Sequence, residues 1–127
     1  MATKTRLMEP YALFIGTLMQ SRNQAHIYHL QTNSFAAHKA LQKYYEEIVD
    51  LIDGLVESYQ GKYGILRGYA MANQIKEDDN AILYFEGLCK FVEMIRTKVP
   101  QDSYIQNEID NVVNLLESTK YKLKFLN

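Results

Sequence analysis

A single cysteine, Cys89, excludes an internal disulfide and any zinc site built from several thiolates. It points to a reducing, intracellular setting. Prolines are scarce: Pro10 and Pro100 are the only two in 127 residues, which leaves long stretches free to be helical. Tryptophan is absent, although ten tyrosines and five phenylalanines supply aromatic bulk. Neither sign of charge dominates. The formal net charge is −1, so the chain as a whole is not built to grip nucleic acid, and DNA binding is expected to be weak or absent. The apolar run from Tyr11 to Met19 is too short to span a bilayer, and no basic stretch followed by an apolar segment and a cleavage site opens the chain. A soluble, cytoplasmic protein without a membrane partner is expected.

Apolar residues make up 47% of the chain, enough for one domain over residues 1–127 with a real core. Their spacing is helical throughout, with no strand-like alternation. A first helix is expected over 10–31, opening at Pro10, where a missing N–H costs nothing. Thr32-Asn33-Ser34 breaks the pattern with N-cap chemistry. A second helix follows over 34–60, with Leu41, Tyr44, Tyr45, Ile48, Ile52, Leu55, Val56 and Tyr59 recurring at three- and four-residue spacing, and Gly61 and Gly64 to end it. Residues 62–79 have weak periodicity and read as a long connection, with room for one short helix around 69–75. Asp78-Asp79-Asn80 caps a third helix over 80–98, stopped by Val99-Pro100. A fourth runs over 103–126, where Ile105, Ile109, Val112, Leu116, Thr119, Leu123 and Leu126 form an unbroken stripe. The reading is all-α: a ferritin-like four-helix bundle with one long crossover between the second and third helices.

The chemistry-bearing residues concentrate in the first half. All three histidines, His26, His29 and His38, flank the first turn. Further along the second helix, Asp53 and Glu57 stand four residues apart and share a face. Two imidazoles with two carboxylates form a mixed nitrogen and oxygen set suited to iron, manganese or zinc. His38 and Asp53 lie fifteen residues apart on one helix, roughly 22 Å, so one chain cannot bring them to one metal. A second chain, laid antiparallel across a two-fold axis, can. No Glu-x-x-His motif occurs, which argues against a di-iron centre inside the bundle.

Those positions carry a resemblance. Gln24-Ala25-His26, Asn33-Ser34-Phe35-Ala36-Ala37-His38 and Asp53-Gly54-Leu55-Val56-Glu57 resemble the Dps family of mini-ferritins. That family has His, then His twelve residues on, Asp fifteen further and Glu four further, as His26, His38, Asp53 and Glu57 are placed here. The resemblance implies a hollow dodecamer built from two-fold dimers. It implies iron, di-iron or mononuclear, held between subunits by His26 and His38 of one chain and Asp53 and Glu57 of the other. It also implies a ferroxidase that oxidises Fe(II) with hydrogen peroxide or oxygen and stores the ferric product, guarding against oxidative stress.

The sequence departs from the family pattern in several places. Gln42 stands where an acidic ligand often follows the second histidine, and Ile27 where a tryptophan usually follows the first. The basic tail that carries DNA binding in the family is represented only by Lys4 and Arg6 at one end and by Lys120, Lys122 and Lys124 at the other. The expected function is that of a Dps-like ferroxidase and iron-storage protein; the departures point to one alternative, a non-enzymatic bundle with a degenerate metal site, structural or DNA-associated. Were it phage-encoded, its location would be the virion or the infected cell.

Overall fold

A computed structural model describes the backbone of residues 2–126 and the side chains of residues 9–126. Four helices form: α1 (Ala2–Gln31), α2 (Phe35–Tyr63), α3 (Ala81–Ile95) and α4 (Ser103–Phe125). No strand occurs among the described residues. α1 packs on α2, α2 on α4, α4 on α3, and α3 on α1. Every neighbouring pair is antiparallel, so the four-helix bundle expected from the spacing is the fold. No helix among the described residues is long and apolar enough to cross a membrane.

Local chemistry sets the helix ends. Ser34 caps α2 by accepting the N–H of Ala37 at 3.1 Å, and Asn80 caps α3 by accepting that of Leu83 at 3.1 Å. α2 outlasts its expected end because Gly61 is exposed and still helical. Gly64, at φ 94°, is the residue that stops it. α3 is shorter than expected and closes at Ile95. Arg96 locks the following turn: its Nε donates to Gln106 Oε1 at 3.1 Å and its Nη2 to Asp110 Oδ1 at 2.6 Å. α1 was expected to open at Pro10; it begins at Ala2 instead and holds Pro10 inside, which leaves the helix one backbone donor short there.

The core draws on all four helices. Phe14, Leu18, Tyr44, Ile48, Phe85, Val92, Ile109 and Leu116 are fully shielded from solvent. Each such side chain contributes about 1.5–3 kcal/mol by leaving water. Tyr11 stacks on Tyr59 with ring centroids 4.4 Å apart and donates its hydroxyl to Leu55 O at 2.8 Å, which ties α1 to α2 at the end opposite their turn.

The crossover is the part of the fold that periodicity misses. Residues 64–80 contain no helix, so the short one expected around 69–75 does not form. The segment is an extended strap lying along α1 and running in the same direction. Thr17 Oγ1 accepts from Ala72 N–H at 2.9 Å, and Gln20 Nε2 donates to Asn73 O at 3.3 Å. Gln24 makes two bonds to one strap residue: Nε2 donates to Lys76 O at 2.8 Å, and Oε1 accepts Lys76 N–H at 2.6 Å. Tyr28 donates to Asp78 at 2.7 Å. Backbone groups of an irregular segment against a helix need partners. A polar stripe on α1, spaced three and four residues apart, provides them. At Gly16 the strap touches the helix backbone itself: a Cβ there would land on Ala70 O.

Candidate functional site

The three histidines gather at the α1–α2 turn and hold the two helices together. His29 Nδ1–H donates to His38 O at 2.7 Å, and His38 Nδ1–H donates to His29 O at 2.9 Å. A carbonyl can only accept, so both rings carry the proton on Nδ1. The rings stack at 3.6 Å between centroids with 19° between planes. His29 is 7% exposed and His38 is half-buried. The pair is a reciprocal clamp that spans the turn.

His26 sits beside the clamp, 5.9 Å from the His29 ring and stacked on Tyr45 at 4.4 Å. The Arg22 guanidinium lies over Tyr45 at 5.3 Å and donates from Nη1 to His26 Nδ1 at 3.4 Å. That bond occupies the Nδ1 lone pair of His26 and leaves the proton on Nε2. It also sets a permanent positive charge beside the imidazole. Leu30 and Phe35, 69% and 74% exposed, flank the turn.

Asp53 and Glu57 lie far along α2, and both are exposed. A single chain therefore does not bring them to His26 or His38, as the helix spacing requires. Among the described residues no three or more His, Cys, Asp or Glu side chains converge as a metal-binding group. Gln42 donates to Glu46 at 2.9 Å on the outer face of α2. Cys89 donates to Glu117 at 3.5 Å, and burial pushes its thiol up to about 11, so it is a poor nucleophile at neutral pH.

A second feature lies between α2 and α4. One cavity of about 440 Å³ is lined by Lys43, Glu47, Asp50, Leu51, Asn114 and Leu115, among others. Another of about 280 Å³ is lined by Ala36, Lys39, Ala40, Lys43, Lys122 and Leu126. Lys43 borders both, so they form successive stretches of one groove.

With this geometry in view, the sequence comparisons decide the family. The model for the "Family of unknown function (DUF5856)" matches residues 29–123. The chain belongs to this family. A protein of Enterobacteria phage T4, the "Uncharacterized 14.6 kDa protein in mobD-ri intergenic region", is 28% identical over 110 residues, covering 87% of this chain and 84% of the relative. No solved structure matches.

The DUF5856 match corrects the resemblance to Dps mini-ferritins. The matched model is that of a different family. The coincidence rested on four residues at the right spacing, and spacing says nothing of what each side chain is bonded to. His29, which has no place in the ligand set expected from the sequence, is buried and is half of the clamp. Arg22 was not singled out at all, although its position four residues before His26 puts both on one helical face. The DUF5856 span begins at His29, so both clamp residues lie inside it.

The clamp makes a stability prediction. His29→Ala and His38→Ala should each cost about 1–2 kcal/mol. The double variant should fall short of the sum of the two by about 1 kcal/mol, because the first loss already dissolves the pair. Urea titration of the four proteins measures this. Strict additivity would mean the two rings act separately.

Proposed function

We propose that this DUF5856 chain is a non-enzymatic, phage-type interaction module, a helical bundle that works by presenting a surface for association. The observation that carries the reading is the bonding of His26. Its Nδ1 lone pair accepts from Arg22, whose fixed charge repels a second cation. His29 and His38 have their Nδ1 protons committed to backbone carbonyls across the turn. These bonds support a structural part for the rings. A phage T4 relative and a family match over residues 29–123 support a phage-type role, in the infected cell or the particle.

Iron oxidation between subunits is the rival reading. It draws on one specific feature: the clamp leaves Nε2 of His38 with a lone pair, and a two-fold partner would have to present Asp53 and Glu57 to it. Anaerobic titration with Fe(II), followed by peroxide, separates the two. The module reading expects no stoichiometric iron binding, with oxidation at the rate of buffer and no difference between wild type and His38→Ala/Asp53→Ala. Saturable binding and fast oxidation that disappear in the variant would overturn it.

A further inference from the structure

We infer that the strap between α2 and α3 is a latched lid: it swings open from Tyr69 to Asp78, released by Tyr28, while the four helices stay packed. Opening uncovers the polar stripe of α1 that the strap now occupies. The inference goes beyond the interaction-module reading and does not depend on it.

The first ground is the way the strap is held. Every residue from 67 to 80 is exposed, Tyr69, Met71 and Ile75 included, and none of these side chains belongs to the hydrophobic core. The attachment is made through the backbone. Ala72 N–H, Asn73 O and both backbone polar groups of Lys76 meet Thr17, Gln20 and Gln24. Such bonds contribute little net, because water offers the same partners once the strap lifts. A segment with few buried apolar contacts opens well below the cost of global unfolding.

The second ground is the construction of its ends. Gly64 and Gly68 both take a positive φ, 94° and 82°. Leu66, between them, is anchored: its side chain is buried and its N–H donates to Gln60 Oε1 at 3.0 Å. The swing point therefore falls at Gly68. At the other end, Asp78 accepts the Tyr28 hydroxyl at 2.7 Å and the Asn80 N–H at 3.3 Å. The Asn80 side chain separately caps α3 through the Leu83 N–H. Release of Asp78 by Tyr28 thus leaves the cap of α3 in place.

The third ground is what lies underneath. Thr17, Gln20 and Gln24 are buried but polar, and Gly16 offers only backbone where the strap comes closest. Water can satisfy this surface, so the open state exposes little that is apolar. It presents a row of donors and acceptors at three- and four-residue spacing, and the strap itself shows what such a row binds: an extended polypeptide backbone.

Native-state amide exchange of the full chain at low urea tests this. The N–H groups of Ala72 and Lys76 should exchange at least about tenfold faster than those of Ile48 and Val112, after correction for intrinsic rates, and with a much weaker dependence on urea. Two variants separate lid opening from unfolding. Tyr28→Phe removes the latch bond and should speed exchange at Ala72 and Lys76 by about tenfold. Ile109→Val loosens the core and should speed exchange at Ile48 by about fivefold. It should leave Ala72 and Lys76 unchanged, because Ile109 stays packed whether the strap is open or closed. Strap and core amides sharing one rate and one urea slope, or Ile109→Val speeding both sets alike, would mean that the strap leaves α1 only when the bundle unfolds, and the lid is overturned. No effect of Tyr28→Phe on the strap amides removes the latch, and the inference with it.

Discussion

Gly16→Val is expected to destabilise the fold by about 3 kcal/mol, more than any single surface change should. A Cβ at Gly16 would fall on Ala70 O and within 2.7 Å of the Ala70 carbonyl carbon. These are backbone atoms, so no side chain can swing aside. The strap must lift from α1, and lifting it strains or breaks the bonds from Thr17, Gln20 and Gln24. Gln24 has no exposed surface, so its amide would lose partners that water can replace only after the strap opens. Urea unfolding gives the size of the loss. Amide exchange shows its place: the N–H groups of Ala72 and Lys76 should lose protection first. A variant with wild-type stability and wild-type exchange would mean that the strap does not bear on α1 at Gly16.

The second large effect is alkaline unfolding. Burial is the main cause that raises the hydroxyls of Tyr11, Tyr28, Tyr44 and Tyr84 well above the ordinary 10.0. Tyr28 is raised further by its bond to Asp78, whereas the Ser21 contact partly offsets the shift at Tyr44. The sign follows from linkage. Below about pH 10 these tyrosines are neutral in both states, and their contribution to stability is complete. Above it the unfolded chain ionises while the folded one does not, so stability falls until the folded values are reached. Each such tyrosine costs about 1.4 kcal/mol per pH unit, and four together can exhaust a stability of 5–15 kcal/mol within about one to three units. Circular dichroism and tyrosinate absorbance should therefore change together in a cooperative step. Tyr84→Phe, at a group shifted by burial alone, should make the step less steep and move it to higher pH. Tyrosinate appearing gradually before any loss of helix would contradict this account.

The helices were legible in the sequence because their burial is periodic. The stripes from Leu41 to Tyr59 and from Ile105 to Leu123 face the core, with Tyr45 and Val56 only partly buried against it, while Leu126, expected to continue the second stripe, is 48% exposed past the end of α4. Errors at the ends came from punctuation read too literally: Gly61 is tolerated inside an exposed helical turn, and only the positive φ of Gly64 ends α2. The strap was invisible for a different reason. Thr17, Gln20 and Gln24 look like a wet helical face, and nothing in their identity says that their polar atoms meet backbone instead of water. The histidine region shows the same limit. Spacing placed His26 and His38 correctly on their helices and made clear that Asp53 lies beyond reach. It could not reveal that His29 and His38 bond each other's carbonyls, because that depends on how the Thr32–Ser34 turn folds back. The groove was hidden too, since Lys39, Lys43 and Lys122 come from opposite halves of the chain.

Gln24 has a consequence for how relatives can differ in length. Its amide offers an acceptor and a donor to the N–H and C=O of Lys76, much as a neighbouring strand would in a sheet. Together with Thr17 at Ala72 and Tyr28 at Asp78, it fixes which strap residue faces which turn of α1. Sliding by one residue turns every bonded group away. Between Ala72 and Asp78 the chain is therefore indexed against α1 and has no room for gain or loss. Between Ile65 and Tyr69, where residues other than Leu66 stand in solvent and Gly68 turns at φ 82°, it is not indexed. Insertions and deletions that leave this family's fold intact belong in that short unindexed stretch.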